Sequence, residues 1–210
     1  MIAPSVAIAG ETPVSMCTCS RRYLMAGVLA TASTVGVAAN VAAQPRFRCD
    51  YTYDYDGGRG GVLTPAPQPV TAQFQQICAA IGYNAPLAIF RGAVGNAAAD
   101  VINGQPVVIY NPDFLNKLYK CALYAPATVL AHEIGHHANA DTHWSSQNKH
   151  PWTRELGADW ISGVALRKLG ASLDQAESGI MCFDPYGPGS SSHPNSQQRL
   201  QAISDGWHNA

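Results

Sequence analysis

Charge is scarce in this chain: Asp, Glu, Lys and Arg make up 13% of its 210 residues, and the formal net charge is −1. That balance gives no reason to expect a nucleic acid or an anionic membrane surface as partner. No internal repeat is apparent, and no C-x-x-C spacing occurs, so cysteine-held metal is not expected. Beyond residue 43 there is no run of apolar residues long enough to span a bilayer. With 47% hydrophobic residues the chain can bury one ordinary core, and a single domain is expected. Glutamate and lysine are the rarest of the charged residues, four each. One of the glutamates stands between two histidines, in His132-Glu133-Ile134-Gly135-His136.

Two histidines four apart on a helix lie about 40° apart around its axis, one turn up, so both imidazoles can reach one metal. Glu133, next to the first histidine, is placed to hold and deprotonate a water at that metal. Chance would put such a pentad in roughly 0.4% of shuffled chains of this composition, so the pattern carries information. A helical context supports it: Pro126 suits a first turn, and Val129, Leu130, Ala131 and Ile134 supply apolar positions.

A third ligand is needed. The metzincin register would require Gly and His where Asn139 and Thr142 stand, and His143 is one place out. Nineteen residues past His136 comes Glu155-Leu156-Gly157-Ala158-Asp159, with its two carboxylates on one face of a second helix. One of them can bind metal while the other orients a ligating imidazole through its free N–H. Gly157 and Ala158 are small enough to let this helix approach the first.

These motifs together resemble the gluzincin metallopeptidases, most of all the prenyl-protein proteases and their small soluble relatives. Gly95-Asn96-Ala97 is similar to that family's substrate-binding edge strand, and Ser192-His193-Pro194 followed by Arg199 to its later His-Pro…Arg segment. The resemblance spans about residues 86–207. It implies an α+β, zincin-like (minigluzincin) domain, with a small sheet before the two metal-bearing helices. It also implies one zinc ion on His132, His136 and Glu155, with Asp159 as orienting carboxylate and Glu133 as general base. His193 would then stabilise the oxyanion, and Asn96 and Ala97 would line the strand beside which an extended peptide adds. His137, His143, His150 and His208 are expected at the surface, with His143 or His150 able to line the cleft.

Residues 1–43 read as an export signal. Ser20-Arg21-Arg22-Tyr23-Leu24-Met25 resembles a twin-arginine motif and precedes an uncharged run, 26–43, that ends in small residues suited to cleavage before Gln44. Met16 is a possible start. A periplasmic or secreted location follows, with an uncleaved anchor as the alternative. Export leaves Cys49, Cys78, Cys121 and Cys182, an even number that suggests two disulfides in any of three connectivities. Free buried thiols are the alternative, because a chain exported folded would have to oxidise them afterwards.

Residues 44–69 form a Tyr-, Gly- and Pro-rich arm, and 70–210 the domain. Within the domain the pattern predicts a helix over 71–81, strands over 87–94, 97–102 and 106–110, and an Asn103-Gly104 hairpin turn. A short helix from 112 leads to the metal helix. The second metal helix stops at Gly170, a further helix covers 172–181, and Pro194 opens the last. Residues 186–192 are expected to be a flexible loop.

The function expected from these features is that of an exported zinc endopeptidase acting on proteins or peptides. A zinc hydrolase of a non-peptide or cell-wall amide, or a non-catalytic zinc-stabilised binding module, stays open. Glu133 argues against the last, because a structural site has no use for a base there.

Overall fold

The computed structural model describes residues 49–50 and 62–210. The expected export signal, and the tyrosines and glycines of the arm, lie outside the described residues. Among these described residues the fold is α+β, with a small mixed sheet and six helices.

A hairpin organises the sheet. Strands β4 (Ala97–Ile102) and β5 (Gln105–Tyr110) pair antiparallel, from Ala97 opposite Tyr110 to Ile102 opposite Gln105. Between them Asn103 and Gly104 both take positive φ, 51° and 79°, the backbone of a two-residue turn whose twist suits a hairpin. Strand β3 (Ala88–Arg91) runs parallel to β5 on its other side. Two short antiparallel strands, β1 (Cys49–Asp50) on β4 and β2 (Thr64–Pro65) on β3, complete the order β1-β4-β5-β3-β2. Along β5 the side chains alternate. Val108 and Tyr110 enter the main core, while Val107 and Ile109 join a smaller cluster with Val94 on the opposite face.

The helices are α1 (Gln68–Ala80), α2 (Pro112–Cys121), α3 (Ala125–Ala138), α4 (Pro151–Lys168), α5 (Leu173–Phe183) and α6 (Ser196–His208). Their starts follow local chemistry. The Asn111 side chain accepts from Asp113 N–H and caps α2, and Ser172 with Gln175 forms a capping box on α5. The last helix opens at Ser196 and not at Pro194, because Asn195 takes the cap and Gln198 closes the box.

Helix α3 is the centre of the molecule. It packs against α1, α2, α4, α5 and the sheet, and every residue from Ala125 to His137 is buried. Helices α4 and α6 lie backbone against backbone: a Cβ added at Gly163 would overlap the Ile203 carbonyl, and one at Gly206 the Trp160 carbonyl. This approach brings Arg199 of α6 to the buried face of α4.

One disulfide, Cys121–Cys182, ties the end of α2 to α5. Cys78 is a free thiol on α1, so the expected two bridges among Cys49, Cys78, Cys121 and Cys182 reduce to one. The reason lies in packing. Cys78 faces the main core beside Phe74 and Ile77, and burial pushes its thiol up to about 11. Among the described residues, no helix is long and apolar enough to cross a membrane.

Candidate metal centre

Helix α3 sets His132 and His136 one turn apart with their rings almost perpendicular, and the two Nε2 atoms lie 3.1 Å from each other. Helix α4 brings Glu155 against both: its Oε2 is 3.4 Å from His132 Nε2 and its Oε1 3.7 Å from His136 Nε2. These three residues, all buried, form a cluster that could hold a metal ion. The spacing fits. Ligand atoms bound at 2.0–2.1 Å in a tetrahedral site are roughly 3.3 Å apart.

The outer nitrogens of the rings are also fixed. His132 donates from Nδ1 to Asp159 Oδ1 at 2.7 Å, and His136 donates from Nδ1 to Asp141 Oδ2 at 3.2 Å. With each Nδ1 carrying the proton, each Nε2 can turn a lone pair inward. Two lone pairs at that separation repel unless a positive charge sits between them. The carboxylates beside His132 favour positive charge on that side of the cluster. Burial alone would lower the His132 imidazole, but Asp159 and Glu155 outweigh it and push it up to about 9. Burial alone would raise Glu155, but His136, His132 and Arg199 hold it well below the usual carboxylate range. Burial keeps His136 lowered.

Asp159 is anchored from behind. Arg199 donates to it twice, from Nε to Oδ2 at 2.8 Å and from Nη2 to Oδ1 at 2.9 Å. Burial would raise this carboxyl, but the guanidinium and the His132 ring override it and keep it low. Glu133 is fully buried one residue past His132.

His193 stands at the mouth of the cluster, its Nε2 3.8 Å from Glu155 Oε2 and its Nδ1 2.9 Å from the Ser192 hydroxyl. The loop that carries it is not the loose segment its Gly/Ser composition predicts. Trp152 Nε1 donates to Ser190 O at 2.8 Å, Ser190 N–H to His193 O at 2.7 Å, and Gly187 N–H to Ser196 Oγ at 2.8 Å. Ser196 Oγ also donates to Asp184 O, which closes the knot.

Two expectations are corrected. His137 is buried: it donates from Nε2 to Val107 O at 2.9 Å and accepts at Nδ1 from Thr142 Oγ1, which ties α3 to β5. Burial holds its imidazole neutral, down to about 4. The surface reading failed because α3 has no exposed face on which a histidine could lie. The second correction concerns Asn96 and Ala97. Both are buried at the start of β4, but β4 is not the outer strand, because Asp50 and Cys49 pair with Ala98 and Ala99. Of the remaining histidines, His143 caps the short 3-10 helix over Trp144–Asn148, His150 caps α4, and His208 ends α6 at the surface.

Asp141 was not singled out by spacing. A carboxylate five residues after the second histidine is the signal that marks it, once the helix is known to end between them.

Compared with known proteins, the chain matches no family model, no curated protein and no solved structure.

Proposed function

We propose that the chain is a zinc-dependent endopeptidase with a zincin-like arrangement of its two metal helices. One observation carries the reading. His132, His136 and Glu155 converge on a single point, and both imidazoles have their outer nitrogens held by carboxylates. Two imidazoles, one carboxylate and no thiolate form the donor set of a catalytic zinc. A zinc ion there would polarise a peptide carbonyl and acidify a water.

The residues divide the rest of the work. Asp159, clamped by Arg199, keeps the His132 ring in register. Glu133, beside the first ligand and shut off from bulk water, accepts the proton of the attacking water and delivers it to the leaving amine. His193, with Ser192 at its Nδ1, offers Nε2–H to the oxygen that gains charge in the transition state. An extended peptide adds to β4 in place of the short β1 strand, which pairs with Ala98 and Ala99 just beyond Asn96 and Ala97. The twin-arginine-type signal suits export of a protein that folds before it crosses the membrane.

The experiment is metal analysis and casein digestion with Glu155→Ala and Glu133→Gln beside wild type. One zinc per chain is expected in wild type and in Glu133→Gln, with casein cleaved by wild type alone and zinc lost from Glu155→Ala. Full zinc in Glu155→Ala would overturn the ligand set. Activity on purified peptidoglycan without activity on casein would move the substrate to a cell-wall amide.

A further inference from the structure

Each of the two facing imidazoles has its own carboxylate, and each carboxylate its own cation. For His132 the pair is Asp159 and Arg199. For His136 it is Asp141 and Lys149, built on a different device. Helix α3 ends in a Schellman turn: Ala140 N–H donates to His137 O at 3.1 Å and Asp141 N–H to His136 O at 2.8 Å. Ala140 takes the left-handed backbone, φ 55°, where glycine is usual. The turn folds the chain back on itself and places Asp141 Oδ2 3.2 Å from the Nδ1 of His136. Lys149 Nζ donates to the other oxygen, Oδ1, at 2.8 Å and to Asn139 O at 2.9 Å. Ser146, buried, donates from Oγ to Asp141 O at 2.6 Å. Asp141 itself is 1% exposed.

A carboxylate taken out of water costs several kcal/mol unless donors replace its hydration. Lys149 alone could satisfy it at the surface. Its burial against an imidazole that already has a second task is what the ion pair does not explain.

We propose that Asp141 is a positioning residue for the metal centre. It accepts the His136 Nδ1–H and fixes that ring in the tautomer whose Nε2 lone pair faces Glu155 and His132. Lys149 holds the carboxylate in place. The proposal rests on the reading of this cluster as a metal site. The two supports also differ in strength. Arg199 grips Asp159 through two bonds in the interior, whereas Lys149 grips Asp141 through one and is 41% exposed. The His136 side is therefore the looser of the two.

The test measures zinc affinity of the full-length chain by competition with a chromogenic chelator, and the tautomer of His136 by imidazole ¹⁵N spectra of zinc-stripped protein. Asp141→Ala should bind zinc about 10–100-fold more weakly, and its His136 Nδ1–H population should fall. Asp141→Asn keeps an acceptor oxygen in the same place, so it should keep the tautomer and recover most of the affinity. Lys149→Met should weaken zinc several-fold. Zinc affinity of Asp141→Ala within twofold of wild type, with the tautomer unchanged, overturns the proposal. If Asp141→Ala fails to fold, Lys149→Met decides, and undiminished affinity there overturns it. A wild-type chain that binds no zinc removes the metal reading instead, and the His136 spectra of the variants still show whether Asp141 sets the ring.

Discussion

Gly135 lies flat against Ala158: a Cβ added at the glycine would fall 3.0 Å from both the Cα and the carbonyl oxygen of Ala158, and 3.2 Å from Ile161 Cβ. The glycine between the two histidines is thus the contact point of α3 and α4. It sets how near Glu155 comes to both rings. Gly157, the other small residue of that segment, instead meets the Asn139 side chain.

A branched side chain at this point must push the helices apart. Gly135→Val should lower stability by about 2–3 kcal/mol, with overpacking outweighing the gain in helix propensity. Zinc affinity should fall with it, because Glu155 retreats from His132 and His136. Chemical denaturation and chelator competition on the same samples measure both.

The half-buried His193 is held at the site by its loop, and Asn195 supplies the cap of α6, so His193 has no capping duty to lose. His193→Ala should reduce kcat roughly 10²–10³-fold with little change in KM. Zinc content and thermal stability should stay at wild-type values. A fall in stability with kcat per folded molecule intact would give the residue a purely structural part.

His137 is the opposite case. Its imidazole joins the last turn of α3 to Val107 of β5 and makes no contact with Glu155 among those described. His137→Ala should destabilise the fold by about 2–4 kcal/mol, since it opens a gap and leaves a buried carbonyl without its donor. Zinc stoichiometry of the folded fraction should be unchanged. Urea titration with metal analysis separates the two effects.

The Cys121–Cys182 bridge spans 61 residues of sequence. Loop-closure entropy puts its contribution at about 4 kcal/mol, and measured bridges commonly give 2–4. Reduction should lower the melting temperature of the chain accordingly. Equal melting temperatures with and without reductant would show that the packing of α2 on α5 suffices alone.

The thiol of Cys78, raised to about 11, is almost wholly protonated at pH 8. Only the thiolate attacks alkylating agents, so Cys78 should react with iodoacetamide about 100-fold more slowly than an unhindered cysteine at that pH. Its rate should keep rising tenfold per pH unit up to about pH 11. Peptide-level mass spectrometry follows it. A plateau near pH 9 would contradict the raised value.

Much of the centre was legible in the sequence, because a helix turns spacing into direction: positions four apart point the same way, and His132, His136, Glu155 and Asp159 are all set by that rule. Asp141 was not, since its position comes from a helix-ending turn that has alanine where glycine would have signalled it. His137 was misjudged because a helix buried on every side gives its polar residues no surface to occupy. The 186–192 segment looked loose by composition. Its order comes from Trp152 and Ser196, partners that no local window contains. The covering of β4 was hidden for a similar reason, as a two-residue strand leaves no periodicity to read.

That covering has a kinetic meaning. Under the proposed function, a peptide that adds to β4 must take the place of Asp50 and Cys49, which are paired to Ala98 and Ala99 and belong to the same molecule. A tethered competitor acts at an effective concentration on the order of millimolar, however dilute the protein. The affinity of a substrate for this edge is then an apparent one, reduced by the fraction of time the edge stands open. Dilution weakens every free inhibitor but leaves this one untouched. On the proposed function, the favoured substrates are those abundant enough, or long enough to find contacts beyond β4, to displace a strand that never diffuses away.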